Sequence, residues 1–303
     1  MIAVLLMAYG SPERLDDVGA YFTDIRGGRQ PSAAAVHELT ERYRRIRVPT
    51  PLLAVSLELV RKLEAELGAG YRVHLGMKHW TPRIGTAIEA IVKEGAERVI
   101  AIVLAPHYSR LSIAGYRTQV EGALGENGAS IPLDFVESWY ELEGYLQTVA
   151  ENTRAQLIQF SSPDQVVGIF TAHSVPARIV EEGDPYPEQL LITATEIAKR
   201  AGIRRWEFAY TSQSKTGEPW LGPDLLAVLT RRAAQGDRQF LVTSVGFTAD
   251  HLEILYDVDV AAQEKARELG VELRRPAMLN SDPRFARALA SLVTGRVMTG
   301  LPN

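Results

Sequence analysis

The chain has 303 residues, of which 46% are hydrophobic and 23% are charged, as in ordinary globular proteins of about two domains. These values exclude a disordered tail, a collagen-like fibre and a miniprotein held together by disulfides. The formal net charge is −4 and cysteine is absent, which argues against a general nucleic-acid binder and excludes disulfides, thiolate nucleophiles and cysteine-ligated zinc or iron–sulfur clusters.

The amino-terminal run lacks the basic region and the cleavage site of a signal peptide. No apolar run approaches the length of about eighteen residues that a membrane span needs. Together with the absence of cysteine, these features predict a cytoplasmic protein without a membrane span. The modest net charge predicts a monomer.

Short apolar runs alternate with longer amphipathic stretches along the chain. The predicted strands are residues 2–8, 71–75, 98–104, 133–136, 165–170, 206–210, 239–245 and 271–273. The predicted helices are residues 50–67, 84–95, 142–158, 187–201, 223–235 and 260–270, and a last helix lies near 283–293. This alternation predicts an α/β protein with parallel sheets that are covered by helices on both faces.

The two halves of the chain follow the same order of elements. The first strand of each half ends in a polar turn with proline, YGSP at 9–12 and HSVP at 173–176. We therefore predict two similar Rossmann-like domains, 1–142 and 143–303, in which the last helix is able to pack on either domain. Ligands of parallel sheets bind at the carboxyl ends of the strands, so we expect a cleft between the domains to hold the site.

Several common catalytic motifs are missing. The chain has no G-x-G-x-x-G after its first strand, no H-E-x-x-H and no G-x-S-x-G. A mechanism that depends on a nucleotide is therefore not indicated.

His173 follows an apolar strand and is the strongest candidate for a reactive side chain. Imidazole binds borderline metals and takes up a proton near neutral pH. A loop histidine that only makes a structural hydrogen bond is the alternative. His79 and His107 also follow strands and are weaker candidates, whereas His37 and His74 are expected to be structural or to lie on the surface.

Glu253 and Asp257 lie four residues apart after another apolar strand, so a helix would place both on one face. Leu252, Ile254 and Leu255 surround them, and a carboxylate among apolar neighbours is costly to bury without a partner or a metal. The alternative is a solvated acidic face at the start of a helix.

The stretch 24–47 carries an excess of arginine although the whole chain is acidic. Arginine binds carboxylates through paired hydrogen bonds, so this stretch is a candidate anion-binding surface; the alternative is the polar face of a surface helix. Tyr9 and Tyr116 could offer flat apolar faces to a ligand. The arginines are Arg26, Arg29, Arg42, Arg44, Arg45 and Arg47.

At these positions the sequence resembles the ferrochelatases, which insert ferrous iron into porphyrins. The matching segments occur in the order of the family and cover most of the chain. They are LLMAYGSP at 5–12, LAPHYS at 104–109, VESWY at 136–140, TAHSVP at 171–176, GDPYP at 183–187, PWLGP at 219–223 and residues 246–257.

The resemblance implies a class II chelatase fold in which His173 and Glu253 handle the metal and the pyrrole protons, with Asp257 as a secondary residue. Tyr9 would lie axial to the product iron. The resemblance places further residues at porphyrin-contacting positions: Arg26, Arg42, Tyr43, Thr50 and Tyr116. The chain departs from the family at Gly27, where arginine is frequent, and at Ala261, where an acidic residue is frequent.

The form with Tyr9 resembles the branch of monoderm bacteria, which implies insertion of ferrous iron into coproporphyrin III in heme biosynthesis. Iron is then a substrate, no cofactor is bound permanently and no iron–sulfur cluster is expected. Porphyrin and ferrous iron would be the binding partners, with transient contacts to heme-pathway enzymes and none to nucleic acid. The alternatives are a protoporphyrin IX ferrochelatase, a cobalt or sirohydrochlorin chelatase, and a non-catalytic heme carrier.

Overall fold

The computed structural model describes residues 1–214 and 217–299, and the first part of the chain alternates strands with helices. The elements are β1 (Ile2–Ala8), α1 (Val18–Ile25), α2 (Ala33–Ile46), α3 (Leu52–Leu67), β2 (Tyr71–Met77), α4 (Ile84–Lys93), β3 (Arg98–Val103), α5 (Ile113–Glu126) and β4 (Leu133–Val136).

The second part of the chain repeats this alternation and adds a π-helix. The elements are α6 (Glu143–Leu157), β5 (Val167–His173), α7 (Arg178–Glu181), α8 (Tyr186–Ala201), β6 (Arg205–Thr211), α9 (Leu225–Ala234), β7 (Gln239–Ser244), the π-helix Ile254–Ala262, α10 (Gln263–Leu269), β8 (Glu272–Arg274) and α11 (Pro283–Thr299).

The strands form two sheets of the same topology. Their orders are β2-β1-β3-β4 and β6-β5-β7-β8, and neighbouring strands are parallel in both. The central strands β1 and β5 are buried almost throughout, which explains why they are apolar on both faces. The predicted fold class, two similar α/β domains with parallel sheets flanked by helices, is confirmed.

The chain divides into two compact units. The first unit comprises residues 1–105, 110–139 and the described residues from 280 onward, and the second comprises 106–109 and 140–279. Helix α11, which the predicted range 143–303 included while leaving its packing open to either domain, belongs to the first unit. It packs on α3, the Phe285 ring lies 5.7 Å from the ring of Trp139, and Arg296 pairs with Asp134.

Two predicted boundaries near the site differ from the structure. The strand predicted at 165–170 continues to His173, because Thr171, Ala172 and His173 extend the parallel pairing with β6. The helix predicted at 260–270 begins earlier, as the π-helix Ile254–Ala262, and continues as α10. Helix α5 was not predicted, because its glycines are weak helix formers.

Candidate active site

His173 is the last residue of the central strand β5 in the second unit. Its Nδ1 lies 2.8 Å from Oε2 of Glu253, and the two side chains are 37% and 26% exposed. The Tyr186 hydroxyl donates to the His173 carbonyl oxygen at 3.1 Å. The strand end therefore presents a histidine that is held by a carboxylate and still reaches solvent.

The turn after His173 is held by the segment 219–223. The Ser174 hydroxyl donates to the Leu221 carbonyl at 2.7 Å, and the Leu221 amide donates to the Val175 carbonyl at 2.9 Å. The Trp220 ring stands edge-on to His173 with centroids 6.4 Å apart. These contacts explain why the sequence needs both the HSVP and the PWLGP segments: together they fix the imidazole.

Glu253 comes to His173 from the loop after β7. That loop passes close to β5 at Gly246, where an added Cβ would lie 2.6 Å from the Cβ of Ala172. Glycine is therefore required for this approach. Glu253 then stands directly before the π-helix Ile254–Ala262, a rare form of helix that is frequent at functional sites.

Ser212 holds one of the two carboxylates of this site. It follows β6, and its hydroxyl donates to Asp257. Its φ of 60° lies in the left-handed region, which costs about 1–2 kcal/mol for an L-residue. A strained backbone thus accompanies the hydroxyl that holds Asp257.

The surroundings of the pair favour its charged form. Burial disfavours the imidazolium, but the negative charge and the hydrogen bond of Glu253, together with the charge of Asp257, outweigh burial and raise the pKa of His173. Burial raises the pKa of Glu253, but the charge and hydrogen bond of His173 reverse that effect and lower it. The two acidic neighbours thus increase the proton affinity of the His173 imidazole.

The same side chains offer nitrogen and oxygen donors to a metal. Within residues 1–214 and 217–299, no group of three or more histidine, aspartate or glutamate side chains is arranged to hold a metal ion.

Tyr9 occupies the corresponding place after β1 in the first unit and is 43% exposed. Its ring lies 4.6 Å from the ring of His79 at a tilt of 56°, and its carbonyl accepts from the His79 amide at 2.9 Å. The next residue, Gly10, has a φ of 100°, and its carbonyl accepts from the Tyr21 hydroxyl. The turn therefore holds a tyrosine ring at the carboxyl end of the strand.

Cations and aromatic rings surround this tyrosine. His79 bonds Asp24, which also pairs with Arg83, and the Lys78 ammonium lies 4.7 Å from the centre of the Tyr116 ring. Burial lowers the pKa of Lys78, and burial with a smaller contribution of Tyr9 raises the pKa of Tyr116. Tyr116 therefore stays a neutral phenol.

The other residues with predicted porphyrin contacts differ in exposure. Arg26 is exposed beyond α1, and half-buried Arg42 pairs with Glu38 at 3.1 Å. Tyr43 and Thr50 are buried, as is Tyr116, and the Thr50 hydroxyl donates to that of Ser11 at 2.9 Å. Of these residues, the two arginines are the ones that a ligand reaches in this conformation.

The sequence pattern missed the hydroxyl of Ser212, which donates to Asp257, and the pairing of Asp24 with His79. The only available signal for Ser212 was its place directly after a strand. His107, a weaker candidate, is buried against Thr193 at 2.9 Å, and burial lowers its pKa to about 3. His107 therefore has a structural role.

Comparison with known proteins gives one consistent result. A sequence model of the ferrochelatases matches residues 1–297. A "Ferrochelatase" from Herpetosiphon aurantiacus is 44% identical, covering 97% of this chain and 98% of that protein. A "Coproporphyrin III ferrochelatase" from Geobacillus thermodenitrificans is 38% identical, covering 98% and 96%.

A solved structure with the same fold is the sirohydrochlorin chelatase SirB from Bacillus subtilis subspecies spizizenii, in complex with cobalt. It aligns with a TM-score of 0.63 over 98% of this chain and 96% of that chain, at 12% identity. This likeness concerns the fold alone. In the part of the chain that the structure describes, no helix is long and apolar enough to cross a membrane.

Proposed function

The chain belongs to the ferrochelatase family, and we propose that it inserts ferrous iron into coproporphyrin III to give the iron complex of that ring in heme biosynthesis. Iron is then a substrate, and the protein needs no resident cofactor. The observation that carries the proposal is the hydrogen-bonded pair His173–Glu253 at the carboxyl end of β5, within a chain that matches the family over nearly its full length.

The chemistry begins with the porphyrin's own protons. A free porphyrin carries two N–H protons at its centre, and both must leave when a divalent ion enters. In this proposal the His173 imidazole takes up a pyrrole proton, and the carboxylate of Glu253 stabilises the imidazolium that forms. The aspartate carboxylate of serine hydrolase triads stabilises its histidine in the same way. Asp257, which accepts a hydrogen bond from Ser212, takes this proton onward so that His173 can accept the second pyrrole proton, or it guides the metal ion.

Ring distortion supplies the second part of the barrier reduction. A flat porphyrin shields its pyrrole nitrogens, so a site that binds a puckered ring better than a flat one lowers the barrier by differential binding. In the proposal Tyr9, which is exposed at the end of β1, is axial to the iron of the product. The location of the ring between the two units stays a prediction.

The arginines support coproporphyrin III as the substrate. That ring carries four propionates, whereas protoporphyrin IX carries two, and Arg26 and Arg42 are the cationic residues among the predicted contacts, neither of them buried. Guanidinium groups bind carboxylates through paired hydrogen bonds. A ring with more carboxylates therefore gains more from this surface.

The test is an anaerobic assay of the purified protein with ferrous iron, in which coproporphyrin III and protoporphyrin IX are compared by kcat/KM from the metalloporphyrin absorbance. We expect coproporphyrin III to be preferred by at least about tenfold, the value of one well-made contact. R26M should raise KM for coproporphyrin III, while R61M, which removes an exposed arginine paired with Glu58 on α3, should not. No rate above background with either ring would refute an iron chelatase.

The names of the relatives keep one alternative open. Some are called "Ferrochelatase" and others "Coproporphyrin III ferrochelatase", so protoporphyrin IX is the competing substrate in the same assay. Equal or greater kcat/KM for protoporphyrin IX would replace the proposed substrate and leave the metal-inserting activity in place. Tight binding of product without turnover would instead indicate a heme carrier. The monomeric state, the contacts with heme-pathway enzymes and the cytoplasmic location stay predictions.

A further inference from the structure

Arg275 lies directly after β8, and its guanidinium joins two aspartates of the second unit. Its Nε and Nη2 contact the two carboxylate oxygens of Asp259 at 2.6 and 2.7 Å, and Nη2 also lies 2.9 Å from Oδ1 of Asp250. The arginine side chain is only 18% exposed. One partly buried cation is thus shared between two carboxylates.

The two aspartates border the segment that carries the acidic side of the site. Asp250 lies three residues before Glu253, and Asp259 lies within the π-helix Ile254–Ala262. Glu253 and Asp257 therefore lie between the two points that Arg275 holds. Since each turn of a π-helix is wider than that of an α-helix, a return of this segment to α-helical geometry would rotate the intervening side chains with respect to β5.

We propose that Arg275 is a positioning residue: by holding Asp250 and Asp259 together, it keeps the π-helical segment in place and thereby keeps Glu253 against His173. This inference rests on the proposed function, in which that pair takes up the pyrrole proton. Arg275 itself touches neither His173 nor Glu253 in any of the contacts described above.

The shape of the guanidinium explains why arginine is needed here. Its planar fork makes two parallel hydrogen bonds to Asp259 and directs Nη2 to Asp250 at the same time. A lysine would supply the charge as a single point and could not reproduce both contacts. Substitution by lysine, which keeps the charge, and by methionine, which removes it, therefore separates the contribution of the charge from that of the guanidinium geometry.

The experiment compares R275M and R275K with R232M in the full chain. Arg232 is a matched control because its side chain is 20% exposed and pairs with two carboxylates of the same unit, Glu207 and Asp237. Those partners lie near the starts of β6 and β7, whereas His173 ends β5. Both methionine variants remove a comparable ion-pair cluster, but only one of them removes the support of the π-helical segment.

The first measurement is the titration of His173 by NMR of histidine-labelled protein, assigned with the H173A variant. In R275M we expect the pKa of His173 to fall by about one unit, because the stabilising charge of Glu253 moves away. The pKa of His173 in R275K should lie between those of R275M and the wild type, and the pKa in R232M should equal that of the wild type. The second measurement is iron insertion: R275M should lower kcat at least about tenfold with little change in KM for the porphyrin, as expected for a role in chemistry and not in binding.

The proposal is overturned if R275M keeps the wild-type His173 titration, or if R275M and R232M change it equally. If R275M does not fold, D259N gives the same test, because it retains Arg275 and its contact with Asp250 while weakening the contact of Arg275 with the π-helix. The NMR titration needs no substrate. A wild-type protein without iron insertion would therefore refute the proposed function, while the titration would still decide the role of Arg275.

Discussion

Each unit of the molecule holds a histidine whose Nδ1 lies 2.8 Å from a carboxylate oxygen, His79 with Asp24 in the first and His173 with Glu253 in the second. The pKa values of the two histidines are nevertheless shifted in opposite directions. Burial, with the nearby charges of Lys78 and Arg83, lowers the pKa of His79 although Asp24 opposes them.

At His173 the neighbouring charges have the opposite sign. Burial also acts against its imidazolium, but Glu253 is reinforced by Asp257, and the pKa of His173 rises. The comparison shows that the geometry of a histidine–carboxylate pair does not set its proton affinity. The charges of the next neighbours decide whether the pair is a neutral support or an exchangeable proton site.

The largest effect should separate the two histidines in catalysis. H173A should lower kcat by about 10³-fold, within the range found for loss of a general base, whereas H79A should lower it by less than about tenfold because its pair only supports Tyr9. Anaerobic kinetics of iron insertion measure both. Each variant is first checked for thermal stability against the wild type. Equal losses in the two variants would contradict the division of roles.

A second, smaller effect concerns pH. Because the basic form of His173 is the active one, kcat/KM should rise with pH through the pKa of His173, above the usual histidine value of 6.5. E253Q removes the stabilising charge, so this rise should move to lower pH while the plateau falls by about 10²-fold. D24N should leave the midpoint in place. If E253Q leaves the pH profile unshifted, Glu253 does not control the pKa of His173.

The smallest effect concerns Ser212, a hydroxyl with no counterpart among the described contacts of His79. S212G and S212A both remove the hydroxyl, but only glycine relieves the φ of 60°, so S212G should be more stable than S212A by about 1 kcal/mol. Their activities should be reduced equally. Chemical denaturation measures the difference in the free energy of unfolding.

Ser291 provides the control for this pair of variants, because it lies exposed in helix α11. There S291G should be less stable than S291A by about 1 kcal/mol, since glycine is the poorer helix former. If the glycine variant were less stable than the alanine variant at both positions, backbone strain at Ser212 would be excluded as the cause.

The strands were the most predictable part of the fold. β1 was predicted at its observed bounds because a parallel strand that is covered on both faces is apolar throughout. The end of β5 was placed three residues early, because His173 is polar and its strand pairing comes from β6. Helix α11 was predicted as an element, but its attachment to α3 depends on contacts more than two hundred residues apart.

The candidate site likewise contains some residues that the sequence could single out and others that it could not. His173 and Glu253 could be singled out because each follows an apolar run and lies in a segment that resembles one family. The hydroxyl of Ser212 and the cation of Arg275 could not, since nothing in their local pattern points to Asp257 or Asp259. Their partners are brought to them only by the packing of strands and helices.

By itself the sequence determined the α/β class, the repeated order of elements in the two halves and the family, and it singled out the candidate pair His173 and Glu253, because these depend on local hydrophobic periodicity and on motifs whose residues are adjacent in the chain. The tertiary structure decided which charges surround each histidine, and thereby the direction of each pKa shift. It also decided that a π-helix follows Glu253 and carries Asp257, and that Arg275 contacts one aspartate before these residues and one after them. Electrostatic effects depend on distances in space, and those distances exist only once the chain has folded.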